Sequence, residues 1–131
     1  MKVRTAKLRG PPMRYSATIL AFGEPLLRLI EAGAPITAAR NAMLLVVTTW
    51  NSLVIDAALG TTENEKQLRD SLALMPEPGA TLYGPSVEQL ITRKKSLFAA
   101  HDWIVGKWEV LGRTDGELRL RVEAHQAPRA G

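Results

Sequence analysis

His101 and Asp102 form the one histidine–acid neighbour pair in the chain, placed where a helical period gives way to a strand-like one. Functional residues often sit on such connecting segments. General acid–base chemistry would need the pair to face a nucleophile or a substrate proton. Complementing the dipole at a helix C-terminus is the simpler role for a histidine there, and the one favoured. Thr48, Asn51 and Asp56 make a second group, polar side chains in an otherwise apolar stretch. Inside a core they must find hydrogen-bond partners, so they either fix packing or line a pocket together with His101 and Asp102. A third group is cationic: Arg93-Lys94-Lys95, with Lys2, Arg4, Lys7, Arg9 and Arg14 at the start of the chain. Clustered cations of this kind contact phosphates. The element lacking is a base reader, because only Tyr15 among the aromatic residues lies close to the basic start. Three cations late in a helix also suit the helix dipole without any ligand, and a solvated face is the default role for residues 93–95.

What is missing narrows the chemistry further. No cysteine occurs among the 131 residues, which removes disulfides, zinc–thiolate sites, iron–sulfur clusters and thiol nucleophiles. Two histidines argue against a histidine metal site, and the expected position of His125, opposite Val105 in a hairpin, keeps it away from His101. Glycine-rich phosphate loops, Gly-x-Ser-x-Gly elbows and His-Glu-x-x-His pairs are all absent. No catalytic residue, metal or cofactor is assigned.

The formal charge of +4 is unevenly placed. Five cations and no acid fall in the first fifteen residues, while the remainder holds 12 basic and 13 acidic side chains, a net of −1. The pI of 9.8 therefore describes a basic arm on a nearly neutral body. Ala17–Phe22 is too short for the apolar part of a leader, and Glu24-Pro25 follows at once, so the start is expected to be uncleaved. The longest uncharged run, 41–55, is shorter than the ~20 residues of a bilayer span. A cytoplasmic location with no membrane is expected.

These residues need elements to hold them. With 46% hydrophobic and 23% charged residues, the chain has the composition of one globular domain. Gly10-Pro11-Pro12 divides an arm, 1–12, from a domain, 13–131. Ser16 is an N-cap candidate for a helix to about residue 32, which Pro25 either kinks near Gly23 or divides by opening a second short helix; the break is preferred. A second helix runs from Ile36 to Leu59, closed by Gly60, and its apolar residues cover so much of its surface that it should be central and nearly fully buried. Thr62-x-x-Glu65 has capping-box spacing for a third helix that stops before Pro76. Gly84-Pro85-Ser86 leads into a fourth, capped by Ser86, with the Lys94 stem along its apolar face.

From Glu117 to Ala124 the period is two, and Trp103–Gly112 is the partner strand of a hairpin over about 103–125. A three-residue turn at Thr114-Asp115-Gly116 would set Arg113 opposite Glu117, Glu109 opposite Arg121, Lys107 opposite Glu123, Trp108 opposite Val122 and Val110 opposite Leu120. Trp108, Val110, Leu118, Leu120, Val122 and Ala124 would then face the helices. The arm either stays flexible or adds a third strand through Lys2–Leu8. The fold class is α+β, helix-dominated, with four main helices and a C-terminal hairpin.

Glu24-Pro25-Leu26-Leu27, Trp50-Asn51, Arg93-Lys94-Lys95-Ser96-Leu97-Phe98, Val105-Gly106 and Trp108-Glu109-Val110 together resemble a pattern in small uncharacterised bacterial proteins. The resemblance covers nearly the whole chain after the arm and implies one domain in bacterial cytoplasm, with no activity, ligand or site attached. The leading functional expectation is a non-enzymatic interaction or accessory protein whose partner is another protein, with a homo-oligomer open. Nucleic-acid binding through the arm and residues 93–95 is the alternative, and a small-ligand protein or enzyme with a polar pocket near the central helix is third.

Overall fold

A computed structural model of the chain describes residues 3–4, 12–31, 33–114 and 117–130. The order is β1 (Val3–Arg4), α1 (Pro12–Leu27), α2 (Ile36–Leu59), α3 (Glu63–Ala73), α4 (Gly79–Ser96), β2 (Trp103–Thr114), β3 (Glu117–Gln126) and β4 (Arg129–Ala130). Four helices and an antiparallel hairpin give the expected α+β architecture. Ile19, Phe22 and Leu26 of α1, Met43, Val46 and Trp50 of α2, and Val87 and Leu90 of α4 form a core with no solvent exposure. The hairpin covers two of these helices, β2 lying on α2 and β3 on α1.

Helix α2 has the expected bounds, and Gly60 ends it in the left-handed region at φ 66°, which glycine enters without a Cβ clash. Its burial corrects the expectation. Val46, Val47 and Trp50 are buried, but Thr37, Arg40, Asn41, Leu44 and Thr48 face outward, with Leu44 53% exposed. Helices α1, α3 and α4 and the hairpin do not close round that side. By length and composition α2 could cross a membrane; here half of its apolar window is buried in protein.

The starts of three helices differ from expectation. Helix α1 begins at Pro12, since proline at a first-turn position loses no helical bond; Ser16 is a buried interior residue rather than a cap. It also runs unbroken through Pro25. Gly23 is a contact point and not a hinge, because a Cβ there would stand 2.8 Å from Val46 Cγ1. Helix α4 starts at Gly79, a full turn and more before Ser86, and carries Pro85 within it. Thr62 precedes α3 but makes no side-chain cap bond.

The middle of the hairpin register is as expected, with Glu109 opposite Arg121, Lys107 opposite Glu123, Trp108 opposite Val122 and Val110 opposite Leu120. Both ends differ. Register shifts between Val105 and Lys107 and between Val110 and Gly112 put Ile104, not Val105, opposite His125, and set Arg113 opposite Leu118 and Thr114 opposite Glu117. A bulge inserts one residue and so reverses which side chains face inward. That is why odd-numbered Trp103 and Val105 are buried together with even-numbered Val110. Trp108 and Leu118 are only half-buried.

Among the described residues no third strand joins the hairpin. Val3 and Arg4 pair instead with Ala130 and Arg129, in a separate two-stranded ladder. At its start, the edge of β2 that an added strand would need is already bonded to side chains of α2. Lys2, Lys7, Arg9 and the Gly10-Pro11 boundary lie outside the described residues.

The first bulge depends on Gly106. A Cβ there would clash with the edge of the His125 ring, at Cδ2 and Nε2. Gly106→Ala is expected to destabilise the fold by about 1–3 kcal/mol, as overpacking does, and His125→Ala in the same chain should recover most of the loss. Urea midpoints of the two variants check this; equal midpoints for wild type and Gly106→Ala would refute it.

Candidate functional site

The polar residues singled out by the sequence meet aromatic ones where α2, the end of α4 and the start of β2 converge. Trp50 Nε1 donates to the Trp103 carbonyl at 2.8 Å. One residue on, Asn51 bonds Val105 twice, its Nδ2 donating to the carbonyl at 2.9 Å and its Oδ1 accepting the amide at 2.8 Å. Residues two apart in a strand turn the same edge outward, so adjacent side chains of one helix serve three backbone groups of one strand edge. A buried backbone group left unpaired costs about 1–3 kcal/mol. Asn51 is a strand-edge clamp.

Lys94 completes this junction. It is 5% exposed and points inward, its Nζ donating to the carbonyls of Phe98 at 2.8 Å and His101 at 3.0 Å and lying 4.9 Å from the centre of the Trp50 ring. Burial pushes its pKa down, and Asp102 opposes that shift. His101 accepts at Nδ1 from Trp103 Nε1 at 3.2 Å, which places the proton of the neutral ring on Nε2. Burial lowers its pKa first, then the fields of Lys94 and Arg14, with Asp102 acting the other way. Phe22, Phe98 and Trp103 pack around Trp50 with ring centres 4.7 to 6.0 Å apart, and Tyr15 meets Trp103 edge-on at 5.0 Å. The lone pair at His101 Nδ1 and two of the Lys94 donors are thus spent on structural partners.

Asp56 and Thr48 lie elsewhere. From the last turn of α2, the Asp56 carboxylate accepts the backbone amides of Asn64 at 3.0 Å and Glu65 at 2.8 Å, and the Asn64 side-chain amide at 2.9 Å. This caps α3 in place of Thr62, and a carboxylate also suits a helix N-terminus electrostatically. Thr48 stands exposed on α2; its neighbour Thr49 is the buried one, returning its hydroxyl to the Leu45 carbonyl at 2.7 Å. The five candidate pocket residues are therefore divided among the Trp50 junction, the α2–α3 turn and the outer face of α2.

The 93–95 cluster is divided as well. Arg93 donates to the carbonyls of Ala21 at 2.7 Å and Phe22 at 3.2 Å. Ala21 is four residues before Pro25, so its carbonyl has no proline amide to accept from, and Arg93 takes that place. Lys95 pairs with Glu65 at 2.6 Å, and Arg69 bridges Glu65 to Glu88, tying α3 to α4. Of the three residues, Lys94 is withheld from any phosphate by burial, and its neighbours are paired with carbonyls and a carboxylate. Arg14 is exposed on α1, and Arg4 is placed by its backbone in β1.

Surface clefts lie among the described residues, and four bear on function. Lys107, Glu109, Arg121 and Glu123 line one on the hairpin, about 540 Å³. Glu24, Arg28, Arg113 and Glu117 rim another between α1 and the hairpin, about 570 Å³, above an apolar floor that includes Leu27, Ile30 and Leu118. Glu24, Arg28, Glu88 and Arg93 flank a third between α1 and α4, about 470 Å³. The fourth, about 260 Å³ between α2 and α3, has no charged residue at all: Leu45, Leu68, Leu72 and Met75 form its floor, and Thr48, Ser52, Asn64, Gln67 and Ser71 its rim. The uncharged run 41–55, which supplies Leu45, Thr48 and Ser52, is the sequence signal for it.

Among the described residues no buried side-chain nitrogen or oxygen lacks a partner, and no group of three histidine or acidic side chains could hold a metal ion. No family model, curated protein or solved structure matches the chain.

The junction carries a pH dependence. The folded state binds a proton at His101 less readily than the unfolded chain, whose histidine titrates near 6.5. Stability that is full above that value is expected to fall as pH drops below it and through the lower folded pKa, as proton linkage requires. Glu65 and Glu88, lowered by their Lys95 and Arg69 partners, lose their contribution only below 4.5. His101→Gln should flatten the decline in urea midpoint between about pH 7.5 and 5.5; an equally steep decline in the variant would refute the assignment.

Proposed function

We propose that this protein is a non-enzymatic interaction protein of the bacterial cytoplasm, acting through contact with another protein chain. The single observation that carries the reading is the neutral groove between α2 and α3. Each of the other three clefts has four charged residues in its lining, and this one has none. Depletion of charge marks the cores of protein–protein contacts more reliably than bulk hydrophobicity does. At about 260 Å³ the groove also falls below the ~300–1,000 Å³ of small-molecule sites. Around it, Leu44 of α2 is 53% exposed and Leu74, after α3, 85%. The bacterial and cytoplasmic parts of the reading rest on the resemblance noted above. A photo-crosslinking residue installed at Gln67 is expected to capture a protein in living cells, and one at Glu109 on the hairpin is not. No adduct from Gln67, or equal adducts from both positions, would overturn the reading.

Nucleic-acid binding is kept as a second reading because five cations and no acid fall in the first fifteen residues, and Arg14 among them is exposed on α1. Oligonucleotide binding by the full chain should weaken with salt, and Arg14→Gln should reduce the salt slope by about one. Binding that is absent, or indifferent to salt, would remove this reading.

A further inference from the structure

The second bulge of β2 changes what the hairpin presents to the helices. Unbroken pairing would set Arg113 opposite the exposed Glu117, whereas the residue inserted between Val110 and Gly112 sets it opposite Leu118. Leu118 has the parity of Leu120 and Val122, both buried, so Arg113 is turned to the side of the sheet that faces the helices. Gly112 allows this at φ 136°, a conformation open to glycine. Re-aiming a side chain beside a site is a recurrent use of bulges.

We propose that the cleft between α1 and the hairpin binds a small amphipathic carboxylate, with its apolar body in the recess and its carboxylate on the Arg113 guanidinium. This goes beyond the interaction reading and uses a different face. The floor comes from four segments: Leu20 and Leu27 of α1, Ile30 beyond it, Ala39 of α2 and Leu118 of β3. Ala39 is buried, and the other four are half-buried, packed on the core while lining the cleft. Leu118 faces the helices and stays partly uncovered because the cleft lies between. At about 570 Å³ this recess falls within the ~300–1,000 Å³ of small-molecule sites, whose lining is mostly apolar with a few placed polar groups.

Charge selects the head group. Glu24 and Arg28 form an exposed pair 3.8 Å apart at the mouth, and Glu117 is exposed at the start of β3, so water screens all three. Arg113 is the half-buried charge of the lining. Its Nη1 donates to the Glu31 carbonyl at 3.0 Å, which fixes the guanidinium at the wall of an apolar recess. A planar group with five donors serves several acceptors at once, and a carboxylate matches its fork. A cationic head group would meet like charge there.

Methyl NMR spectra of the full chain, titrated separately with octanoate, octanol and octylamine, test this, because the three share one apolar body and differ in head group. Octanoate is expected to shift the methyl signals of Leu20, Leu27 and Leu118. It should bind about tenfold or more tighter than octanol, the factor that a hydrogen bond to a charged group contributes, with octylamine weakest. In Arg113→Gln the preference for octanoate over octanol should disappear while octanol binds as before. Circular dichroism checks that this variant folds, and the head-group comparison in the wild-type chain stands without it. No shift at the three leucines, shifts centred instead on Leu45 and Leu68 of the α2–α3 groove, octanoate no tighter than octanol or octylamine, or a preference that survives in folded Arg113→Gln would each overturn the proposal.

Discussion

A strand that starts against a helix exposes one edge of backbone donors and acceptors, and those groups have to be satisfied before the helix and sheet can pack. The rest of this structure depends on how Trp50 and Asn51 meet that requirement. Their three bonds to Trp103 and Val105 replace the ladder a neighbouring strand would have supplied. A hairpin alone is marginal in water, so its anchorage decides whether the sheet exists. Once β2 is fixed on α2, the Gly106 bulge reverses the inward parity, and both Val105 and Val110 reach the core. Pairing to β3 then carries Leu120 and Val122 over α1.

The same logic recurs at Pro25. Proline inside a helix removes one donor and leaves a carbonyl without its partner, ordinarily reason enough to break the helix. Here α1 continues because a guanidinium from α4 occupies the vacancy at Ala21. Lys94, the next residue, performs the corresponding service for the carbonyls of Phe98 and His101 after its own helix ends. Arg93 and Lys94 act as donors to orphaned backbone acceptors, whereas Lys95 and Arg69 pair with carboxylates. Arg93 and Lys94 therefore hold three segments together, and a count of positive charge misjudges what they do.

That misjudgement shows which parts of the structure were legible in the sequence. Helix α2 was, because a run of apolar residues bounded by Pro35 and Gly60 has only one periodicity to follow. The central hairpin register was, because four adjacent cross-strand pairs agree on it. The bulges were not, since alternation in β3 is unbroken and only β2 carries the extra residues; Gly106 and Gly112 were their trace. Asp56 was marked as polar and buried, but its target, the N-terminus of α3, is a fact of tertiary packing that displaced the local cap at Thr62. The division of Arg93, Lys94 and Lys95 among carbonyls and Glu65 follows from helix phase and from Pro25, and the two signals lie 68 or more residues apart in the chain.

Satisfying so many groups internally has a consequence for the surface. A side chain that closes a backbone gap is no longer available to a ligand, so the junction richest in titratable and aromatic groups is also the one most committed to holding the fold. What is left free is simpler. Charged residues surround the hairpin and α1, where paired Arg121 and Glu109, 3.6 Å apart, contribute little to stability and much to solubility. Between α2 and α3 that protection is withdrawn, and leucines stand in water beside uncharged rims. A neutral helical face in a chain that is 23% charged is a local departure from its own composition. Water is a poor partner for such a face, and a second protein surface is a good one.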